Sequence, residues 1–371
     1  MFQKKNVMRY VSKTLMPALI LVLAVVVSML PFGCRSSVEG IDFLQGDFSV
    51  PEIMNVQVTD PYSICLDFSK PVHVNLACIS EKAEDEGEAG SSRGDAVQVQ
   101  ALLEDDGCKV SFVTEEKTKI GQKYILDAEL EDESGNTLTV QVEFKGFNDR
   151  IPSLVMSELR MKKKSKKAGP EFVEFYALSS GNTSGISLVS GANGIENRYE
   201  FPAMEVKAGE YIVLHLRNDC EGSVDETGTS LALAKAPDCV NTARDLFVPR
   251  GDKDKRFLGI GSDVIYLQNV NTGVLYDAIV IVDKTKNPEK MPESLLEAAA
   301  LVEQSGLWLD SEENPSCTLE SAVNGSSIDK DAHSLNRRSV KSLKSNSHPA
   351  KAGMWYEVSK TKEQTPGLPN L

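Results

Sequence analysis

The sequence predicts an all-β protein built of two β-sandwich domains in tandem, the second carrying a helical insertion. Three observations predict it. Apolar and polar residues alternate strictly in several short segments, the period of a strand with one wet face. The 26 glycines and 16 prolines are scattered as turn punctuation, so that turn signals recur every ten residues or so, as in a sandwich. Long helical patterns are few. Of 371 residues, about 340 follow Cys34, which sets a prior of two domains.

The opening residues read as an export leader. Lys4, Lys5, Arg9 and Lys13 form a basic head, and no acid precedes Glu39. Residues 18–30 are then apolar apart from Ser28. A spanning helix needs about 20 apolar residues, so this run suits the core of a signal peptide. Gly33-Cys34 follows, and a small residue before a cysteine resembles the lipobox of bacterial lipoproteins. The family usually has Leu two places before the small residue; here Leu30 lies one place further out, a looseness known in spirochaetal and Bacteroides-type lipoproteins. The resemblance implies a signal peptide over 1–33, cleavage before Cys34 and a diacylglycerol on its thiol. That lipid is the only prosthetic group expected, and the membrane it enters the first partner. Residues 34–50 read as a tether. Arg35 and Ser36 lack the Asp that retains some lipoproteins at the inner membrane, which favours the outer one.

Residues 51–147 read as the first sandwich. Tyr62, Ile64, Leu66 and Phe68 alternate with Ser63, Cys65 and Asp67. Val72, Val74, Leu76 and Cys78 alternate with His73, Asn75 and Ala77. Leu138, Val140, Val142 and Phe144 alternate with Thr139, Gln141 and Glu143. This phasing turns Cys78 inward and Cys65 outward. Residues 81–95, rich in Glu, Gly and Ser, read as a loop. Residues 66–72, Leu-Asp-Phe-Ser-Lys-Pro-Val, resemble a strand of S-layer-type bacterial Ig-like domains. Residues 124–138, with Asp132, Ser134, Gly135 and Asn136, resemble the later strand and turn of the same domains, which are usually spacers or adhesion modules. Residues 34–146 hold 23 acids against nine bases. Such a surface repels phosphate and argues against nucleic acid as its partner.

Residues 151–371 read as the second sandwich. Strands are expected over 153–160, 171–176 and 211–214, and a hairpin over 264–282 turning at Asn269 to Gly273. Residues 154–158, 171–176, 186–191 and 208–213 resemble successive segments of the lamin-tail domain, an Ig-like sandwich. Ser334 to Arg338, Trp355 and the ending Thr365-Pro366-Gly367-Leu368-Pro369-Asn370 resemble its C-terminal signature. Trp355 is then expected in the core, with the last residues lying along the sandwich. Two insertions, 218–250 and 284–332, depart from the family. Residues 292–305 within the second read as a helix, with Pro at its first turn, Leu295, Leu296, Ala299 and Val302 on one face and Gly306 as its stop.

Motifs for chemistry are absent: the chain has no GxSxG, HExxH, Walker or GxGxxG pattern. His73 and His215 read as ordinary strand histidines. No CxxC occurs and the histidines and cysteines follow no zinc spacing, so no metal site is expected. Asp219, Glu221, Asp225 and Glu226 lack EF-hand spacing. Cys220 and Cys239 flank one insertion, and an exported chain can close them as a disulfide. Lys162, Lys163, Lys164, Lys166 and Lys167 form a basic run suited to phosphate-bearing partners such as DNA, anionic lipid or glycan. Arg93-Gly94-Asp95 and Arg250-Gly251-Asp252 fall in expected loops and suit protein recognition at a loop tip. The reading is a lipid-anchored, non-catalytic scaffold or binding module of the envelope. The alternatives are a surface adhesin for host matrix or cells, and an accessory of an extracellular nuclease or phosphoesterase. The oligomeric state stays open.

Overall fold

The computed structural model describes residues 49–83, 93–161, 171–217, 221–236, 239–249, 256–328, 330, 333–344, 348–360 and 363–370. Its fold is all-β and sandwich-like. The first sandwich comprises β1 (Ile53–Asp60), β2 (Ser63–Phe68), β3 (Val72–Glu81), β4 (Val97–Gln98), β5 (Gln100–Glu104), β6 (Lys109–Val113), β7 (Lys123–Asp132) and β8 (Thr137–Lys145). They form two sheets, β1-β2-β6-β5 and β4-β3-β7-β8. Ile64, Leu66, Phe68, Val110 and Phe112 from one sheet meet Val72, Ile79, Leu126, Leu130 and Val140 from the other. The alternation of β2 and β8 matches this core.

The alternation of β3 does not continue as expected. Val74 pairs with Leu130 and Leu76 with Glu129, a register shift that leaves Asn75 unpaired. A bulge inserts one residue and so exchanges the two faces beyond it. Ala77 and Ile79 therefore enter the core, while Leu76 is 46% exposed. Cys78 is only half-buried, and Cys65, expected outside, is buried in the middle of its sheet. The β7–β8 turn is set by Asp132. Its carboxylate accepts the Ser134 and Asn136 backbone N–H groups and the Asn136 side-chain amide, each at 2.9 Å. Asn136, with Lys70 and Ser134, holds that carboxyl below its ordinary range.

The second sandwich begins with β9 (Leu154–Arg160), β10 (Phe172–Ala177), β11 (Gly181–Asn182), β12 (Ile186–Ser190), β13 (Arg198–Glu200), β14 (Glu205–Val206) and β15 (Tyr211–His215). β16 (Arg244–Phe247), β17 (Asp263–Asn269), β18 (Leu275–Val282) and α1 (Leu296–Ser305) follow, then β19 (Trp308–Leu309), β20 (Val323–Asn324), β21 (Ser334–Arg337), β22 (Ala350–Lys351) and β23 (Trp355–Val358). A six-stranded sheet, β16-β15-β10-β9-β21-β23, faces a five-stranded one, β13-β12-β17-β18-β20. Both insertions contribute to these sheets: β16 runs parallel beside β15, and β20 parallel beside β18. Leu154, Met156, Val173, Phe175, Ile212 and Leu214 pack against Leu188, Ile265, Leu267, Ile279 and Ile281. Trp355 is 6% exposed in the same core.

α1 is preceded by a 3-10 turn, Glu293–Leu295, and stops at Gly306, whose φ of 70° is left-handed. The tighter turn rotates the face. Leu295, Ala298, Ala299 and Val302 are buried as a result, and Leu296, expected with them, is 50% exposed. Between the sandwiches the Asn148 amide donates to the Asn182 and Ser184 carbonyls at 2.7 and 2.8 Å, and Lys145 pairs with Glu200 at 2.9 Å.

Candidate functional site

The outer face of the six-stranded sheet gathers titratable groups that face neither core. Strand register aligns Asn336, Glu158, Glu174, Val213 and Asp245 in one row across β21, β9, β10, β15 and β16. All five are buried, because the end of the chain and residues 239–243 lie over them. Glu158 accepts the Ser334 hydroxyl at 2.6 Å and the Thr365 backbone N–H at 3.0 Å. Glu174 accepts the Ser157 hydroxyl and the Gly367 N–H, both at 2.5 Å. The Asn370 amide donates to the Ser157 and Arg337 carbonyls at 2.9 Å. Gly367 has φ +76°, and a Cβ there would stand 2.5 Å from the Thr242 hydroxyl, so the close seat of the tail requires glycine. Burial outweighs the donors and pushes the Glu174 carboxyl up to about 8, with the Glu158 charge adding to it; burial raises Glu158 as well. Thr365 to Asn370 thus lie along the sandwich as expected.

Arg337 points the other way, into the sandwich. Its guanidinium holds both oxygens of Asp277 at 2.9 and 3.0 Å, with no exposure on either side chain. Asp277 also accepts the Met156 N–H at 2.7 Å, and the Trp355 ring lies 5.7 Å from the guanidinium.

At the β15–β16 end of the same face stand His215, Cys239 and Asp245. His215 and Asp245 are buried and Cys239 is half-buried; one donor atom from each lies within 4.8 Å of the other two. His215 Nε2 is 2.7 Å from Asp245 Oδ1, and its ring stacks on Phe247 with centroids 4.8 Å apart. Asp245 Oδ2 accepts the Val240 N–H at 3.0 Å. Glu226 accepts the Asp245, Leu233 and Ala234 N–H groups at 3.0, 2.8 and 3.1 Å. Burial and the Asp245 charge push the Cys239 thiol up to about 12, the opposite of an activated nucleophile. Parallel pairing of β15 with β16, rather than sequence spacing, brings the three together. Sequence spacing does not reveal this, and a group with metal-ligand chemistry does exist among the described residues.

The residues singled out by sequence fall as follows. Cys239 is a free thiol whose sulfur turns inward to Asp245, and the expected Cys220–Cys239 bridge falls on a residue, Cys220, outside the described ones. Cys34, Lys162, Lys163, Lys164, Lys166, Lys167, Arg250, Gly251 and Asp252 also lie outside them. Arg93, Gly94 and Asp95 are exposed, yet Arg93 bridges to Lys82 and its guanidinium pairs with Asp127 at 2.8 Å. The Gly94 N–H donates to the Glu81 carbonyl. Arg93 is thus tied to the edge of β3, while Gly94 and Asp95 lie in irregular backbone. Asp225 Oδ1 accepts the Phe247 N–H, and both oxygens of Glu226 accept backbone N–H groups. Sequence reasoning missed Glu158, Glu174 and Asp245. The available signal was carboxylates set within otherwise apolar strands. Among the described residues no helix is long and apolar enough to cross a membrane.

Fold and site together define a β-sandwich protein whose second domain seals a row of buried polar groups beneath its own C-terminus. A family model described as TP_1001_2nd, protein second domain, matches residues 152–356, more than half of the chain, and the chain belongs to that family. It is 30% identical over 208 residues to an uncharacterized protein of Treponema pallidum (strain Nichols), covering 54% of this chain and 51% of the relative; the match spans about half the length of that relative. Solved structures with some likeness include the N-terminal part of the bacterial S-layer protein SbsC, at 14% identity and TM-score 0.22 over 63% of this chain and 44% of that one. A DUF4876 family protein from Bacteroides thetaiotaomicron has 10% identity and TM-score 0.28 over 78% and 90%. Likeness at this level says nothing of function.

Proposed function

We propose that the protein is an exported, lipid-anchored and non-catalytic module of the cell envelope, with the outer membrane as its site. In this reading a diacylglycerol on Cys34 holds the chain, and the tether over 34–50 clears the membrane. The acidic first sandwich acts as an Ig-like spacer, and the second is a lamin-tail-like domain that meets a protein or anionic glycan partner. One observation carries the non-catalytic part. The carboxylates that could serve acid–base chemistry on the second domain, Glu158 and Glu174, are buried and engaged by Thr365 and Gly367 of the chain's own tail. A general acid or base must reach its substrate within hydrogen-bond distance, and here the tail occupies that space. The basic leader, the apolar run and Gly33-Cys34 support the anchor. The first Arg-Gly-Asp, with its arginine already paired to Asp127, supports the scaffold over the adhesin.

Stable anchoring needs more than one acyl chain, so the thiol is decisive. Cys34→Ser is expected to release the protein to the soluble fraction or to leave an uncut precursor, read by fractionation and by mass spectrometry of the N-terminal peptide. A variant that fractionates and migrates like the parent would overturn the lipid anchor. Hydrolysis of DNA or a phosphoester by the purified chain, abolished by a chelator, would restore the enzyme accessory in its place.

A further inference from the structure

We propose that His215, Cys239 and Asp245 form a three-ligand site for a divalent transition metal of the zinc class, with a fourth position reached from solvent beside Cys239. The donor set is the first argument. An imidazole nitrogen, a thiol sulfur and a carboxylate oxygen suit zinc and its neighbours, not magnesium or calcium, which take oxygen ligands. Distance is the second. The three donor atoms lie within 4.8 Å of one another. Tetrahedral zinc, with bonds of about 2.0–2.3 Å, spaces its donors roughly 3.3–3.8 Å apart. Closing on the ion therefore asks the sulfur to approach by about 1 Å and the 2.7 Å His215–Asp245 contact to open. Cys239 sits in irregular backbone ahead of β16, where such a shift disturbs no strand pairing.

Charge is the third argument. A thiolate and a carboxylate beside a neutral imidazole sum to two negative charges, which a dication neutralises where burial makes uncompensated charge costly. The thiol proton leaves to solvent as the metal enters. Outer contacts already fix the ligands: Glu226 and the Val240 N–H hold Asp245, and Phe247 holds the ring. Among the described residues the other ring nitrogen of His215, Nδ1, is buried and has no partner. Bound metal would pin residues 239–243, part of the cover over the outer sheet face, to the β15–β16 edge.

The test uses the full chain in detergent, reduced and stripped of metal, with cobalt(II) alone as the probe. A single equivalent is expected to give thiolate-to-cobalt charge-transfer absorption in the near ultraviolet, displaced by zinc. Cys239→Ser should abolish that absorption, and Cys78→Ser should leave it intact. His215→Gln should weaken binding by about tenfold or more; because His215 is buried, its fold is first checked by circular dichroism. Cys239→Ser, at a half-buried position, decides the matter if His215→Gln fails to fold. Absence of the absorption in the parent chain overturns the site, as does its persistence in Cys239→Ser. So does recovery of Cys239 in a disulfide when the chain isolated from the envelope is peptide-mapped without reduction.

Discussion

Among the described residues of the first sandwich, the only polar side chains that are buried are Ser80 and Asp132. The second buries Glu158, Glu174, Asp245, Asp263, Asp277, Arg337 and His215, among others. The first sandwich therefore relies on two apolar faces pressed together, with its polar faces left in water. The second adds outer layers: a tail, a helix and long insertions, whose backbone groups need partners once water is excluded. Buried carboxylates supply those partners, since one carboxylate accepts several N–H groups. Buried charge fixes position more than it adds stability, and in this domain it fixes where the covering segments lie. The contrast predicts that the domains differ in their response to a broken ion pair, to pH and to a single changed apolar residue.

The largest effect should follow Arg337→Met. It leaves Asp277 buried without its cation, and the loss of one partner of a buried pair costs about 3–5 kcal/mol. Calorimetry should show the second domain's transition falling while the first domain's stays in place. Replacing both partners, Arg337→Met with Asp277→Leu, should recover most of the loss, because the uncompensated charge is gone. The counterpart in the first sandwich is the Lys82–Glu143 pair, with side chains 26% and 56% exposed. Lys82→Met there should cost at most about 1 kcal/mol. Equal losses from the two substitutions would erase the contrast between the domains.

A middle-sized effect should appear with pH, and with opposite sign in the two domains. The Glu174 carboxyl is raised to about 8 by burial, so the folded form keeps a proton that the unfolded chain loses near its ordinary value. Stability from this group is full below the unfolded value and is lost as pH rises through about 8. The second domain should melt lower at pH 8 than at pH 5, and Glu174→Gln, which carries no titrating proton, should flatten that slope. Asp132 is lowered by Asn136 and its neighbours, so its contribution is present above its unfolded value and fades as pH falls. The first domain should therefore lose stability on the acid side. Parallel slopes for both domains would show that the buried carboxylates do not set the difference.

The same contrast explains what the sequence revealed. Strands with one wet face announce themselves by alternation, so β2 and β8 were legible residue by residue. The β17–β18 hairpin was legible because a short turn joins its strands, and α1 because Pro292 and Gly306 bracket it. In β9 and β10 both faces are buried, and a carboxylate inside such a strand breaks the apolar pattern without saying what it meets. The row from Asn336 to Asp245 is assembled by register among five strands, three of them distant in the chain, and no local spacing encodes it. For the same reason the sequence shows His215 only as a strand-end histidine. The seat of Thr365 to Asn370 was visible only through the lamin-tail resemblance, and the carboxylates beneath it not at all.

The smallest effect tests the bulge in β3, where the first sandwich departs from simple alternation. Alternation from Val72 puts Leu76 in the core and Ala77 outside. The register shift at Asn75 reverses both, leaving Leu76 46% exposed and Ile79 5% exposed. Leu76→Thr keeps a β-favouring side chain on a wet face, so the change in stability should stay within about 0.5 kcal/mol. Ile79→Ala removes buried methyl groups and should cost about 2–5 kcal/mol. The pair is read most directly by denaturant midpoints of the first domain's transition at constant slope. A large loss from Leu76→Thr with little from Ile79→Ala would mean that the strand runs without the bulge. The phase read from the sequence would then stand, Cys78 would return to the interior, and the half-buried thiol would resist alkylation in the folded chain.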